Sequence, residues 1–257
     1  MRVLFDLEAR ADAAYSTTFH HKLRGAIWEA LEDSPSDALH DSEKRTGLSF
    51  SNPFPWGDMD AGDERHLLVA SPRRDLLATV AAEWLDSKEL NIGEMPFRVT
   101  GMRGLYLDVG EPGSTGTIDT ATGVYAVVPP QFRAEDNDNE SIPFWRPENS
   151  VEPFQKYVED QLQREHDEFA PDYLPGPAET AAPLFDEWNF KKMFSIPVTV
   201  KTGTTLTMVL SKWEFGYEVR SEDHRRHLNL ALDVGIGGRN GYGLGFVNII
   251  EREGVAL

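Results

Sequence analysis

His40 is the residue with the plainest chemical task in this chain. It stands in Pro35-Ser36-Asp37-Ala38-Leu39-His40-Asp41-Ser42-Glu43-Lys44-Arg45-Thr46-Gly47, a segment that reads as a loop. An imidazole titrates near neutrality and can take or give a proton, and Lys44 and Arg45 are close enough along the chain to meet the same phosphate. The bland alternative is an uninvolved loop histidine. A second group, His20, His21, Lys22 and Arg24, is the densest positive patch of the N-terminal half and falls on the polar face of an expected helix. It is either a solvated face or a contact for a polyanion, and His20 is the fallback proton carrier if His40 is inert. His224 and His227 have the i, i+3 spacing of metal ligands, but no third ligand with suitable spacing follows, so solvated surface or contact with a polyanion backbone is the better reading.

The other stretch with chemistry in it is Gly235-Ile-Gly-Gly-Arg-Asn-Gly-Tyr-Gly-Leu-Gly245, in which six of eleven positions are glycine. Without Cβ atoms such a run can take positive φ and bring backbone amides close to an anion. Helical spacing of Leu228, Ala231 and Leu232 before it, and apolar Phe246-Val247-Asn248-Ile249-Ile250 after it, put a helix ahead of the loop and a strand behind. A nucleotide-binding glycine loop has the opposite order, strand then helix, and a P-loop ends in Gly-Lys-Ser/Thr, which is missing. A metabolic nucleotide-binding enzyme is disfavoured on both counts.

Gly235-Ile236-Gly237, five residues, then Gly243-Leu244-Gly245 near the end of the chain resembles the signature of CRISPR-associated repeat-processing endoribonucleases of the RAMP superfamily. The resemblance implies an RNA-contacting loop in the second of two ferredoxin-like domains, made here of Gly235, Gly237, Gly238, Arg239, Gly241, Gly243 and Gly245; the positive patch of His20, Lys22 and Arg24, and Arg45 beside His40, supply further candidate RNA contacts on their own charge. It implies a catalytic histidine after the first helix and before the second strand, the place His40 occupies. Lys44 would then stabilise the phosphorane, and Tyr15 is the candidate for a tyrosine that some members carry near the start of the first helix. The reaction implied is metal-independent cleavage of precursor CRISPR RNA within its repeats. The 2′-hydroxyl attacks the adjacent phosphorus and leaves a 2′,3′-cyclic phosphate and a 5′-hydroxyl. No cofactor is expected. The partners expected are repeat RNA and other subunits of an interference complex. A non-catalytic RNA-binding subunit of the same superfamily is the rival reading.

The charge balance opposes a simple RNA binder, with 25 Lys+Arg against 43 Asp+Glu and a formal net charge of −18. The acids are spread along the chain, as an adaptation to concentrated salt would spread them, and a haloarchaeal source is the expectation. Near 1 M salt the Debye length is about 3 Å, so contact-range hydrogen bonds and stacking must carry RNA affinity. With Cys 0, disulfides and thiolate chemistry are excluded. No run of roughly 20 apolar residues is present and the N-terminus is acidic, so no membrane association and a cytoplasmic location are expected.

The elements that must position these groups read as α+β, two tandem ferredoxin-like (β-α-β-β-α-β) domains over residues 1–112 and 113–257. In the first, Val3, Phe5 and Leu7 alternate as a strand. Phe19, Leu23, Ala26, Ile27, Ala30 and Leu31 form a helix opened by Ser16-Thr17-Thr18. Leu48–Ser51 and Arg65–Ser71 are strands, Arg73–Trp84 is a helix, and Glu94–Val109 has strand character. In the second, Gly123–Val128 is the expected first strand and Val151–Phe169 a helix, with Pro171–Pro183 irregular. Met193–Val200 and Thr204–Val219 form a hairpin-like pair, and a helix starts near Glu222. Trp28, Trp84, Trp188 and Trp213 are expected in the core, while Trp56 and Trp145, in proline-bearing loops, are candidates to stack on bases.

Overall fold

The computed structural model describes residues 1–16, 18–37, 45–128, 144–173, 183–201 and 204–254. The first half runs β1 (Arg2–Ala9), α1 (Phe19–Glu29), β2 (Ser49–Phe50), β3 (Glu64–Ala70), α2 (Arg74–Ser87), β4 (Glu89–Ile92) and β5 (Met95–Leu105). The second runs β6 (Thr115–Thr120), α3 (Glu152–Tyr173), β7 (Glu187–Lys201), β8 (Thr204–Glu218), α4 (Glu222–Val234) and β9 (Val247–Glu253). The sheets are antiparallel, ordered β2-β3-β1-β5-β4 and β7-β8-β6-β9. In each, the first strand lies between the third and the last, the order of a ferredoxin-like unit, here met twice.

Period-2 alternation on β1 buries Val3, Phe5, Leu7 and Ala9 against Phe19, Leu23 and Ile27 of α1 and Leu76, Leu77, Val80 and Trp84 of α2. The second core sets Phe154, Val158 and Leu162 of α3 and Leu228, Ala231 and Leu232 of α4 against Trp213, Phe215 and Tyr217 of β8. Ser221 caps α4 by accepting from the His224 amide at 3.1 Å.

The two halves meet at Phe246, which packs with Leu68 and Ala70 of β3 and with Leu4, Phe54, Leu105 and Ala121. Arg2, 1% exposed, crosses this junction. Its Nε donates to Leu232 O at 3.1 Å, its Nη2 to the Leu232 and Val247 carbonyls, and its Nη1 to Asn248 Oδ1. Its guanidinium carbon stands 4.4 Å from the centre of the Phe246 ring.

Several sequence expectations change here. The first strand of the second sheet is Thr115–Thr120, not Gly123–Val128, which makes single bridges to Ser211, Gly238 and Phe144. Apolar patterning does not mark β6, because Ile118 is its one apolar side chain and the Thr120 hydroxyl is buried, donating to Trp213 O. Trp145 is 6% exposed, its indole N–H donating to Ser150 O, and is core rather than a platform for bases. His224 and His227 are fully buried, since the helical stripe that buries Leu228 and Ala231 takes them inward as well. Helix α3 continues through Pro171 to Tyr173.

Candidate nucleic-acid interface and active site

The glycine loop begins where α4 ends, at Gly235 with φ +81°. It closes on itself through Ile236 N–H to Gly245 O at 2.9 Å, and Gly245 N–H reaches Gly123 O at 2.8 Å. Gly237, Gly243 and Gly245 have φ of +78°, +73° and +69°. An added Cβ would come within 2.7 Å of Tyr125 O at Gly237, 2.3 Å of the Phe50 ring at Gly243 and 1.9 Å of Ile236 O at Gly245. These glycines are therefore demanded by packing between β2, the 123–125 segment and the loop's own return. The amides of Gly235, Ile236, Gly238, Tyr242, Gly243 and Gly245 all donate to backbone carbonyls. The expectation that glycine amides throughout the loop face a ligand is thus narrowed. Gly235, Gly237, Gly243 and Gly245 are buried, and in the tip Gly238–Tyr242 all but Asn240 are accessible, with Arg239 exposed at φ +60°.

Helix α1 leans on that tip. His20 Nδ1 is 2.7 Å from Tyr242 O, and Arg24 lies 4.7 Å over the Tyr242 ring. A carbonyl only accepts, so Nδ1 carries the hydrogen and Nε2 keeps its lone pair. Burial lowers the imidazole pKa to about 4, although the bond to Tyr242 works the other way. At neutral pH His20 is uncharged, so it does not belong to the cationic patch that Lys22, exposed, and Arg24, half-buried, still form. Nearby, Tyr15 is half-buried, and burial raises its phenol pKa while a hydrogen bond with Asn52 pulls the other way.

His20 and Tyr15 line one cleft of about 540 Å³ between the halves, with Asn52, Trp56, Lys192 and Lys212. Trp56 is 75% exposed there. Lys192 and Lys212 of β7 and β8 escaped sequence reasoning, because strand alternation shows a face and not what stands opposite it. Burial lowers the Lys212 pKa, Asp119 opposes the shift, and the ammonium donates to Ala121 O at 2.9 Å.

Arg45 is held by α3, ion-paired with Glu165 and donating from Nη2 to Gln161 Oε1 at 3.0 Å. His40 and Lys44 lie outside the described residues. Among the described residues no group of three or more His, Asp or Glu is placed to hold a metal ion.

Residues 115–249 match the family model described as CRISPR associated protein Cas6, C-terminal. A CRISPR-associated endoribonuclease Cas6 of Haloferax mediterranei is 50% identical over 255 residues, covering 98% of this chain and 94% of the relative. The CRISPR-associated endoribonuclease Cas6 2 of Methanocaldococcus jannaschii is 24% identical, covering 98% of this chain and all of its own. A solved CRISPR associated protein Cas6 superposes with a TM-score of 0.69 over 98% of this chain and 99% of its own at 17% identity, a likeness of fold.

Proposed function

The chain belongs to the Cas6 family of CRISPR-associated endoribonucleases, and from that premise we propose that it cuts precursor CRISPR RNA within its repeats to release guide RNAs. The observation that carries the reading to particular atoms is the 2.7 Å contact of His20 with Tyr242 O, which ties the glycine-loop tip to the helix whose His20 lines the cleft. The division at residues 112 and 113, and the site residues below, are part of the proposal.

In this reading the ribose 2′-oxygen forms a bond to the adjacent phosphorus as a base takes its proton. The bond from phosphorus to the 5′-oxygen breaks as an acid supplies one, leaving a 2′,3′-cyclic phosphate and a 5′-hydroxyl. His40 is assigned one of these proton transfers, a role worth typically ~10²–10⁴-fold. Lys44 is assigned to the charge on the phosphorane. Tyr15 keeps its proton at neutral pH and serves as a donor. His20, neutral with Nε2 unprotonated, suits the base. Lys22, Arg24 and Arg239, with Gly238 and Gly241 at the tip, are assigned to the RNA backbone. Other subunits of an interference complex are the partners to be tested.

The deciding experiment incubates the protein with repeat RNA in concentrated KCl and EDTA, beside His40→Ala and His20→Ala. One cut ending in a cyclic phosphate, lost in His40→Ala with binding kept and blocked by a 2′-deoxy at the cut, is the expected result. Loss in His20→Ala alone moves the proton role to His20. A requirement for Mg²⁺ overturns the mechanism, and RNA bound but uncut by every form makes the protein a carrier instead.

A further inference from the structure

Helix α3 presents Tyr157, Gln161, Arg164 and Glu165 at i, i+4, i+7 and i+8, one helical face. That face is turned toward the glycine-loop tip, for a Cβ on Gly238 would stand 2.6 Å from the Tyr157 hydroxyl. Gly238 N–H donates to Tyr125 O at 2.8 Å, and the Arg239 guanidinium lies 5.6 Å over the Tyr125 ring. Arg164 follows Tyr157 two turns along that face, and Arg239 adjoins Gly238 in the loop. Arg45 is engaged by Glu165 and Gln161, which leaves the guanidiniums of Arg164 and Arg239 and the Tyr157 phenol as hydrogen-bond donors, the chemistry of an anion site.

The surroundings sharpen the point. In a chain of net charge −18, four of the eight exposed arginines among the described residues are matched to acids, Arg10 to Glu89, Arg98 to Glu8, Arg103 to Asp6 and Arg220 to Asp186. Arg164 and Arg239 are exposed and have no carboxylate partner among the described residues. Long-range attraction is screened in concentrated salt, so forked guanidinium contacts and ring stacking are the interactions that survive there.

We propose that Arg164 and Arg239, with Tyr125 and Tyr157, form an RNA station on the second half that forks the backbone phosphate of one unpaired nucleotide flanking the cut. Tyr125 is the platform for that nucleotide's base, since only an unstacked base can lie on an aromatic ring. Arg164 has no place in the site assigned above, and the station rests on the reading of the protein as an RNA-cutting enzyme.

The test measures binding of repeat RNA made uncuttable by a 2′-deoxy at the scissile nucleotide, at fixed high KCl. Arg164→Ala is expected to raise Kd about 10-fold, as loss of a charged hydrogen bond does. Arg164→Glu should weaken binding further, and Arg164→Lys, which keeps the charge but not the fork, should recover part of the loss. Lys156→Ala, on the same helix but ion-paired with Asp160, should bind and cut as the wild type does. RNAs shortened one nucleotide at a time from either end should reach a length at which the Arg164→Ala difference disappears, and that length marks the nucleotide held. Inorganic phosphate that competes as well as RNA would make the station a free-anion site and overturn the proposal. So would Arg164→Ala binding every RNA as the wild type does, or Lys156→Ala weakening binding equally. Wild-type protein that neither binds nor cuts repeat RNA defeats the enzyme reading itself, before any variant is compared.

Discussion

His20 Nδ1 and the carbonyl oxygen of Tyr242, 222 positions apart in the chain, lie 2.7 Å from one another. The bond fixes the tautomer of a buried ring whose pKa has fallen from 6.5 to about 4, with burial as the largest cause. Above 6.5 the ring is neutral whether the chain is folded or not. Between 6.5 and about 4 the unfolded chain binds a proton that the folded one refuses, so stability is lost as pH falls through that window. The loss reaches on the order of 3 kcal/mol for this group. Urea unfolding at pH 7.5, 5.5 and 4.5 should show a falling midpoint, with a shallower fall in His20→Gln. Burial lowers His166, His224 and His227 too, so the variant keeps part of the slope. Equal slopes in the two proteins would contradict a buried neutral His20.

Gly245 and Gly241 carry the same letter in the motif but not the same duty. At Gly245 an alanine would place Cβ 1.9 Å from Ile236 O at φ +69°, and at Gly241 it would meet only Thr46 Oγ1 at 3.3 Å. Gly245→Ala should cost on the order of 3 kcal/mol or more, while Gly241→Ala should change the melting temperature little. Thermal unfolding of both variants checks this, and a Gly245→Ala protein that melts with the wild type would show the loop to be looser than described.

That contrast shows where sequence reasoning stops. Spacing located the glycine loop, its preceding helix and its following strand, because 3.6- and 2-residue periods record a single buried face. Spacing cannot tell a glycine kept for a ligand from one kept because Phe50 or Ile236 O fills the space. The double β-α-β-β-α-β order was legible too, yet β6 was missed, since a strand of Thr, Gly and Asp hydrogen-bonded on both sides needs little apolar pattern. His224 and His227 read as surface because a polar residue gives no hint of its depth, and Lys192 and Lys212 were invisible because their cleft is formed across the two halves. His40 was legible as chemistry but lies outside the described residues.

Arg2 joins the halves through carbonyls rather than through an acid, so salt should not loosen it. Removing it leaves the Leu232 and Val247 carbonyls without that donor and opens space beside Phe246. Arg2→Ala should lower stability by on the order of 3 kcal/mol at any KCl concentration. Arg2→Lys should recover little, because an ammonium on a flexible stem does not reproduce the planar fork. The exposed pair Arg98 and Glu8 is the control: Arg98→Ala should change stability by less than about 1 kcal/mol. Urea midpoints in 0.5 M and 3 M KCl separate the cases, and an Arg2→Ala defect that salt cures would refute the buried-donor account.

His166 offers the opposite sign. It is 1% exposed on α3, its ring stacked at 4.7 Å against that of His227 on α4, and neither of its nitrogens has a hydrogen-bond partner among the described residues. Asp167 Oδ1 stands 3.9 Å from Nδ1, too far to serve as one. A buried polar atom left without a partner costs about 1–3 kcal/mol, and burial and then Arg226 lower the pKa of the ring, so protonation gives no relief at neutral pH. His166→Phe keeps a flat ring against His227 and removes both orphaned nitrogens. It should stabilise the protein by about 1 kcal/mol and flatten the acid limb of its stability curve, since one lowered histidine is gone. Calorimetry at pH 7.5 and 5 reads both effects. A destabilised His166→Phe at pH 7.5 would mean that the ring nitrogens are satisfied after all, and that the helix pair depends on them.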